Sequence, residues 1–244
     1  AKIIAAVNCI YRNCRGQLVG ANTDGEGAVK SLENVIKKKG LLGSSVLVIG
    51  IGGAGRAVAT NVAYRIGHDG QLYLANRTRQ PSEALARALH NLCEVEILEL
   101  PLPMNFIESI DVIINCSIVG YQIPVFDNGL GYCLQPYTPL SKVDTTIRVK
   151  KGENFIKRYI EGAQSEIEHN IHSSISFLGH VQPHAMIFDI IYQPHQTMLL
   201  QLASCFGLST LNGMAMNMEQ AVLAFSRVIP EQSDLDVIRN IMRS

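Results

Sequence analysis

Val46-Leu-Val-Ile-Gly50-Ile-Gly-Gly-Ala-Gly55-Arg-Ala-Val-Ala59 decides how the rest of this chain is read. Four apolar β-formers run into a glycine cluster, and alanines and valine then continue at helical spacing, so strand, tight turn and helix follow without a break. Gly50 permits the sharp exit from the strand. Gly52 or Gly53 removes the Cβ that would hold a pyrophosphate off the backbone, and Gly55 lets the helix pack closely on the sheet. An anion would sit on the free N–H groups and positive dipole end of a helix starting near Ala54. A glycine-rich βα turn with no ligand would look similar if it stood alone.

Outward from this turn, strands and helices alternate. Gln71 to Ala75, Val95 to Leu100, Asp111 to Asn115, Met186 to Tyr192 and Leu208 to Leu211 read as strands. Pro81 to Leu92, Met104 to Ile110, Pro194 to Phe206 and Gly213 to Phe225 read as helices. That order predicts an α/β fold, a Rossmann-type doubly wound parallel sheet with right-handed crossovers. The strand at Gln71–Ala75 ends in Asn76-Arg77-Thr78-Arg79, where a dinucleotide fold that prefers NAD carries an acid for the ribose 2′-hydroxyl. Two arginines around a threonine suit a 2′-phosphate instead, so NADP is the expected cofactor. A solvated turn is the other reading of those arginines. Asn115-Cys-Ser117-Ile-Val-Gly120 closes the fourth strand on the carboxyl edge, where it lines a nicotinamide pocket or forms a plain β-turn.

The chain has 244 residues, 47% of them hydrophobic and 17% charged, which describes a globular protein with a sizeable core. Its formal net charge is zero and its longest basic run is Lys37-Lys-Lys39, so neither nucleic acid nor an anionic membrane is an expected partner. No apolar run approaches the ~20 residues that cross a bilayer, and the expected compartment is the cytoplasm. The six cysteines show no Cys-x-x-Cys pair and read as reduced. His169, His172, His180 and His184 lack a completing ligand set, so no metal is expected.

Residues 1 to 22 read as a strand pair, with Ile3 to Ile10 extended, a turn over Arg12 to Gly16, and Gln17 to Ala21 returning. A lone hairpin is marginal in water, and Ile3, Ile4, Val7 and Ile10 call for more sheet than this chain supplies. A missing N-terminal segment or a homodimer would cover them. Asp24 opens the next helix, either as an N-cap with Thr23 or as a catalytic carboxylate. Residues 122 to 184 read as a loop followed by one amphipathic helix, Asn154 to Ile175, with Ile156, Ile160, Ala163, Ile167, Ile171 and Ile175 on one face. That face packs on its own domain, or serves as a lid or an oligomer contact.

Taken together, Ala6-Val-Asn8, Gly20-Ala-Asn-Thr-Asp24-Gly-Glu-Gly27, the glycine turn, Asn76-Arg-Thr78, Asn115 to Gly120, Asp189-Ile-Ile-Tyr192-Gln-Pro194 with Thr197, and Gly213 through Gln220 resemble the shikimate dehydrogenase family. The resemblance implies an NADP-dependent oxidoreductase of aromatic amino acid biosynthesis that interconverts shikimate and 3-dehydroshikimate. A quinate or related polyol acid dehydrogenase, or a non-catalytic NADP-binding or regulatory module, are the alternatives. It implies that Asn8, Asp24, Tyr192 and Gln220 meet substrate and that Asp24 is the acid of a catalytic Lys–Asp pair. Cofactor contacts would fall at Gly50, Gly52, Gly53, Ala54, Gly55, Asn76, Arg77, Thr78, Asn115, Ser117 and Gly213.

In the family a substrate domain carrying the lysine precedes the Ala-Val-Asn strand. Lys2 does not sit in that motif, so weak or no turnover is expected of this chain alone. The expected division is 1–24 as a remnant of the substrate domain, 25–44 as a connecting helix, 45–211 as the NADP domain with an unusual insertion at 122–184, and 212–244 as helices returning to the substrate domain.

Overall fold

A computed structural model describes residues 4–36, 40–121, 124–127, 130–133, 137–141, 154–229 and 234–243. Lys2, Ile3, the Lys37–Lys39 run, Gly129 and Pro136 lie outside the described residues, as do the side chains of Cys133, Ile156, Ile160 and Ala163. The elements in chain order are β1 (Cys9–Arg12), β2 (Leu18–Ala21), α1 (Asp24–Ile36), β3 (Ser45–Ile49), α2 (Gly53–Ile66), β4 (Gln71–Ala75), α3 (Arg79–Leu89), β5 (Glu94–Leu98), a 3-10 turn (Ile107–Ser109), β6 (Val112–Asn115), β7 (Pro124–Asp127), β8 (Leu130–Cys133), α4 (Phe155–Leu178), β9 (Met186–Asp189), α5 (Met198–Cys205), β10 (Ser209–Asn212), α6 (Met214–Val228) and α7 (Leu235–Arg243).

Six strands form one sheet in the order β10-β9-β6-β3-β4-β5, and every pairing in it is parallel. The chain therefore winds outward twice from β3, once through β4 and β5 and once through β6, β9 and β10. The direction reverses between β3 and β6, so the crevice outside their carboxyl ends is where such a sheet binds ligands.

Strand residues are apolar on both sides because helices cover both faces. Val46, Val48, Leu72, Leu74, Val112, Ile114 and Phe188 enter one core with Val29 and Leu32 of α1, Val58 and Val62 of α2 and Leu85 of α3. The alternate residues Leu47, Ile49, Tyr73, Ile113 and Ile187 enter the other, with Phe106, Ile107, Phe177, Leu199 and Leu200. Each such side chain, when fully buried, contributes ~1.5–3 kcal/mol.

Three expectations need correction. The first strand begins at Cys9 rather than Ile3, because Ala5 turns the chain with a φ of 52° and Ile4 folds inward. The stretch after Gly120 contains an antiparallel hairpin, β7 with β8, and Pro124 is tolerated there as the first residue of its strand.

The third concerns α4, which runs one turn further than expected and leaves Ile175 outside its buried side, with Ile167 and Ile171 half-buried. Ile175 is 40% exposed, whereas Asn170 and Ser174 are buried beside Phe177 and Leu178. Ile175 stays outside while two polar side chains pair inside. The Asn170 amide accepts from Thr138 N–H at 2.8 Å and donates to Thr138 C=O at 3.0 Å, and the Thr138 and Ser174 hydroxyls meet at 2.5 Å.

Candidate active site

The glycine turn carries the carboxyl end of β3 into α2. Gly50 has a φ of +92°, and a Cβ there would stand 2.6 Å from the Ser117 N atom, so no other residue fits. A Cβ on Gly55 would come within 1.8 Å of the Gly50 carbonyl oxygen, which is how closely α2 approaches the turn. Gly52 and Gly53 differ: a Cβ on Gly52 would meet nothing within 4 Å, and one on Gly53 would meet only Ala6 at 3.9 Å. No side chain caps the first turn of α2. Its N–H groups, Ala54 included, therefore face open space that suits a phosphate.

Asn76 fixes this turn to the end of β4. Its carbonyl oxygen accepts from Ile51 N–H at 3.0 Å, and its NH₂ donates to Thr78 C=O at 2.9 Å and to the Thr78 hydroxyl at 3.2 Å. Arg77 is exposed and makes no hydrogen bond or ion pair among the described residues. Arg79 is committed elsewhere, to Glu83 and Glu99, both at 2.8 Å. Of the two arginines, Arg77 is the one left to meet a ligand.

Asp24, Asn8 and Gln220 come from three distant parts of the chain and converge. The Asn8 amide donates to the Asp24 carboxylate at 2.7 Å, to the Thr23 hydroxyl at 3.1 Å and to the Gln220 amide oxygen at 3.4 Å. Its own oxygen accepts from Thr23 N–H at 2.9 Å. Two glycines of α1 make this possible. A Cβ on Gly25 would lie 2.1 Å from the Ala57 carbonyl oxygen of α2, and one on Gly27 would lie 2.8 Å from the Gln220 N atom of α6. Helix α1 is thus clasped between α2 and α6 with Asp24 at its first turn.

Burial raises the Asp24 carboxyl above its ordinary value, and the hydrogen bond from Asn8 opposes the shift. Such a group can take up and release a proton nearer neutrality than a free aspartate. Among the described residues Asp24 has no ion-pair partner.

At the end of β6, Asn115 is wholly buried. It donates to Val119 C=O at 3.1 Å and to Asp189 at 3.0 Å, and it accepts from the Ser117 N–H at 2.9 Å and hydroxyl at 2.7 Å. Asn115 and Ser117 thereby shape this loop, with Ser117 half-exposed. Cys116 sits between them, and burial, followed by the charges of Asp189 and Asp24, raises its thiol. Tyr192 is 45% exposed on the segment after β9. Gly213 abuts that segment, since a Cβ there would stand 1.9 Å from the Ile190 carbonyl oxygen.

Asp189 was legible only as part of a motif, although a carboxylate ending the apolar run Met186-Ile-Phe188 is itself a signal. Asn217, which accepts from the Gln220 amide at 2.8 Å, carried no signal in the sequence. The five described cysteines are free, and no group of three or more His, Cys, Asp or Glu side chains that could hold a metal occurs among the described residues. No helix among the described residues is long and apolar enough to cross a membrane.

No family model matches the chain. It is 31% identical over 242 residues to shikimate dehydrogenase (NADP(+)) of Bacillus subtilis (strain 168), spanning 99% of this chain and 69% of that protein. The identity to shikimate dehydrogenase (NADP(+)) of Desulforamulus reducens is again 31% over 242 residues, spanning 99% and 68%. Shikimate 5-dehydrogenase from Listeria monocytogenes, solved in complex with shikimate and NAD, superposes with a TM-score of 0.67 at 20% identity, covering 99% of this chain and 69% of that one. The last likeness bears on the fold alone, but the sequence identity spans nearly the whole chain, and the chain belongs to the shikimate dehydrogenase family.

Proposed function

We propose that this chain is an NADP-dependent oxidoreductase that works reversibly on shikimate and 3-dehydroshikimate, with Asp24 as its in-chain acid–base residue. The observation that carries this is the hydrogen-bonded cluster of Asn8, Asp24 and Gln220, polar groups brought together from the segment before β1, the start of α1 and the middle of α6. A hydroxylated ring acid suits them, since it offers several donors and acceptors at once.

The chain's own residues fit the cofactor. Gly52, Gly53 and Ala54 leave N–H groups and room for a pyrophosphate, and Arg77 with Thr78, where no acid stands, suits a 2′-phosphate. When bound, NADP(H) supplies or accepts the hydride. Asp24 then handles the proton at the substrate oxygen, and Asn8 and Gln220 orient the ring. We read residues 1–24 and 212–244 as the substrate side, 25–44 as the connection and 45–211 as the cofactor side.

Among the described residues Asp24 has no cationic partner, and on this reading we expect slow turnover. The same observation favours the second reading, a module that binds NADP without turnover. Calorimetry with NADP, and NADP reduction with shikimate and with quinate, separate the two. The expected result is NADP binding with measurable reduction on shikimate that Asp24→Asn lowers ~10²-fold or more. Binding with no reduction above background establishes the module instead. Arg77→Ala should weaken NADP far more than NAD, and equal weakening would remove the 2′-phosphate role.

A further inference from the structure

Asp189 is a buried charge that neither substrate nor cofactor contact accounts for. It ends β9 with no exposed surface, and its carboxylate is the acceptor in each of its hydrogen bonds. The Thr197 hydroxyl donates to one oxygen at 2.7 Å. The Asn115 amide at 3.0 Å and the Ile191 N–H at 3.1 Å donate to the other. For stability alone an apolar residue of similar volume would serve as well or better at such a position. A carboxylate retained here has to do something that only an acceptor with two oxygens can.

Its three donors lie on separate pieces of the carboxyl edge. Asn115 ends β6 and holds Ser117 by two bonds, and the Ser117 backbone lies directly against Gly50 of the phosphate turn. Ile191 begins the segment that carries Tyr192, and its carbonyl oxygen accepts from Gly213 N–H at 3.2 Å, at the entry to the helix that presents Gln220. Thr197 caps α5, and a Cβ on Gly120 would lie 3.6 Å from its Cβ, so it borders the far end of the β6 loop as well. One carboxylate thereby ties the cofactor turn to the substrate helix.

We propose that Asp189 is a positioning residue of the hydride-transfer site, its two oxygens setting the spacing between the Asn115–Gly120 loop and the Ile191–Thr197 segment. This deepens the functional reading above and rests on it. Asp189 touches no reacting atom. It acts through Asn115 and Thr197, and its loss would displace the nicotinamide end of the site while sparing the adenosine end at Asn76–Thr78.

The test compares the parent chain with Asp189→Asn, which keeps the shape and replaces one acceptor oxygen by a donor. NADPH affinity, the emission of bound NADPH, and KM and kcat with shikimate are measured on each. Affinity should stay within about twofold, the emission of bound NADPH should shift, and kcat should fall about tenfold to a hundredfold, the scale expected for a reacting group misplaced by ~1 Å. Thr197→Val should act in the same direction and Thr197→Ser should restore parent values.

Parent-like emission and kcat in Asp189→Asn would overturn the proposal. So would NADPH affinity falling in parallel with kcat, or failure of Thr197→Ser to rescue. If the parent binds NADPH without turnover, the emission comparison decides alone. If the parent binds no NADPH, the functional reading itself fails, a result distinct from any difference between variants.

Discussion

A buried carboxylate leaves a mark on stability that can be read against pH. Burial lifts the Asp189 carboxyl from 3.8 to about 6, against the pull of its bonds from Thr197, Ile191 and Asn115. Between those two values the folded chain holds a proton that the unfolded chain has released. The part of stability due to this group is therefore whole below about 4, falls as pH rises to about 6, and is level above that. The loss amounts to at most ~3 kcal/mol. Asp189→Asn should remove this slope, so that the variant gains on the parent between pH 4 and pH 6 in paired thermal or urea unfolding. A constant difference across that range would mean that Asp189 titrates normally. At neutral pH the group is ionised, as three donors require.

Helices in this molecule approach one another, and the turn, through glycines whose jobs differ. Gly55 holds α2 against Gly50, and Gly25 and Gly27 hold α1 against α2 and α6. A Cβ on Gly53, in the first turn of α2, would meet nothing closer than 3.9 Å. Gly55→Ala should therefore destabilise the fold by ~1–3 kcal/mol through overpacking. Gly53→Ala should leave stability unchanged or raise it by up to ~1 kcal/mol, from helix propensity, and yet weaken NADP, because its Cβ occupies the space kept for phosphate. Urea unfolding and calorimetry on the pair check this. Unaltered NADP affinity in Gly53→Ala would count against the cradle.

The elements were legible to different degrees. Glycines and apolar period showed β3, α2 and β4 because these are local signals, and β4 falls on Gln71–Ala75 as expected. The buried face of α4 was not legible, because Asn170 and Ser174 turn inward only when Thr138, more than thirty residues earlier, is there to pair with them.

At the scale of the whole molecule, the sheet is closed on both faces by helices but the hairpin is not. β1 and β2 form a separate two-stranded sheet in which Ile10 and Leu18 are 67% and 68% exposed, and Val7, just before it, is 52% exposed. Contiguous apolar side chains on a small sheet promote association. Ile10→Thr together with Leu18→Thr should lower light scattering at high concentration while leaving the unfolding midpoint within experimental error. A large loss of stability would show instead that these side chains pack in the folded monomer.

The alternation of strands and helices through the parallel sheet and the glycine turn at its centre were written in the sequence alone. Each depends on neighbours within a few residues, where backbone sterics and period decide. So was the family, carried by motifs in order along the chain. The convergence of Asn8, Asp24 and Gln220, the commitment of Arg79 to Glu83 and Glu99, the inward turn of Asn115 and the burial of Asp189 among three donors were decided only by the tertiary structure. Asn8 meets Gln220 across 212 positions, Asn115 meets Asp189 across 74 and Arg79 meets Glu99 across 20, and a linear pattern holds no information about such approaches.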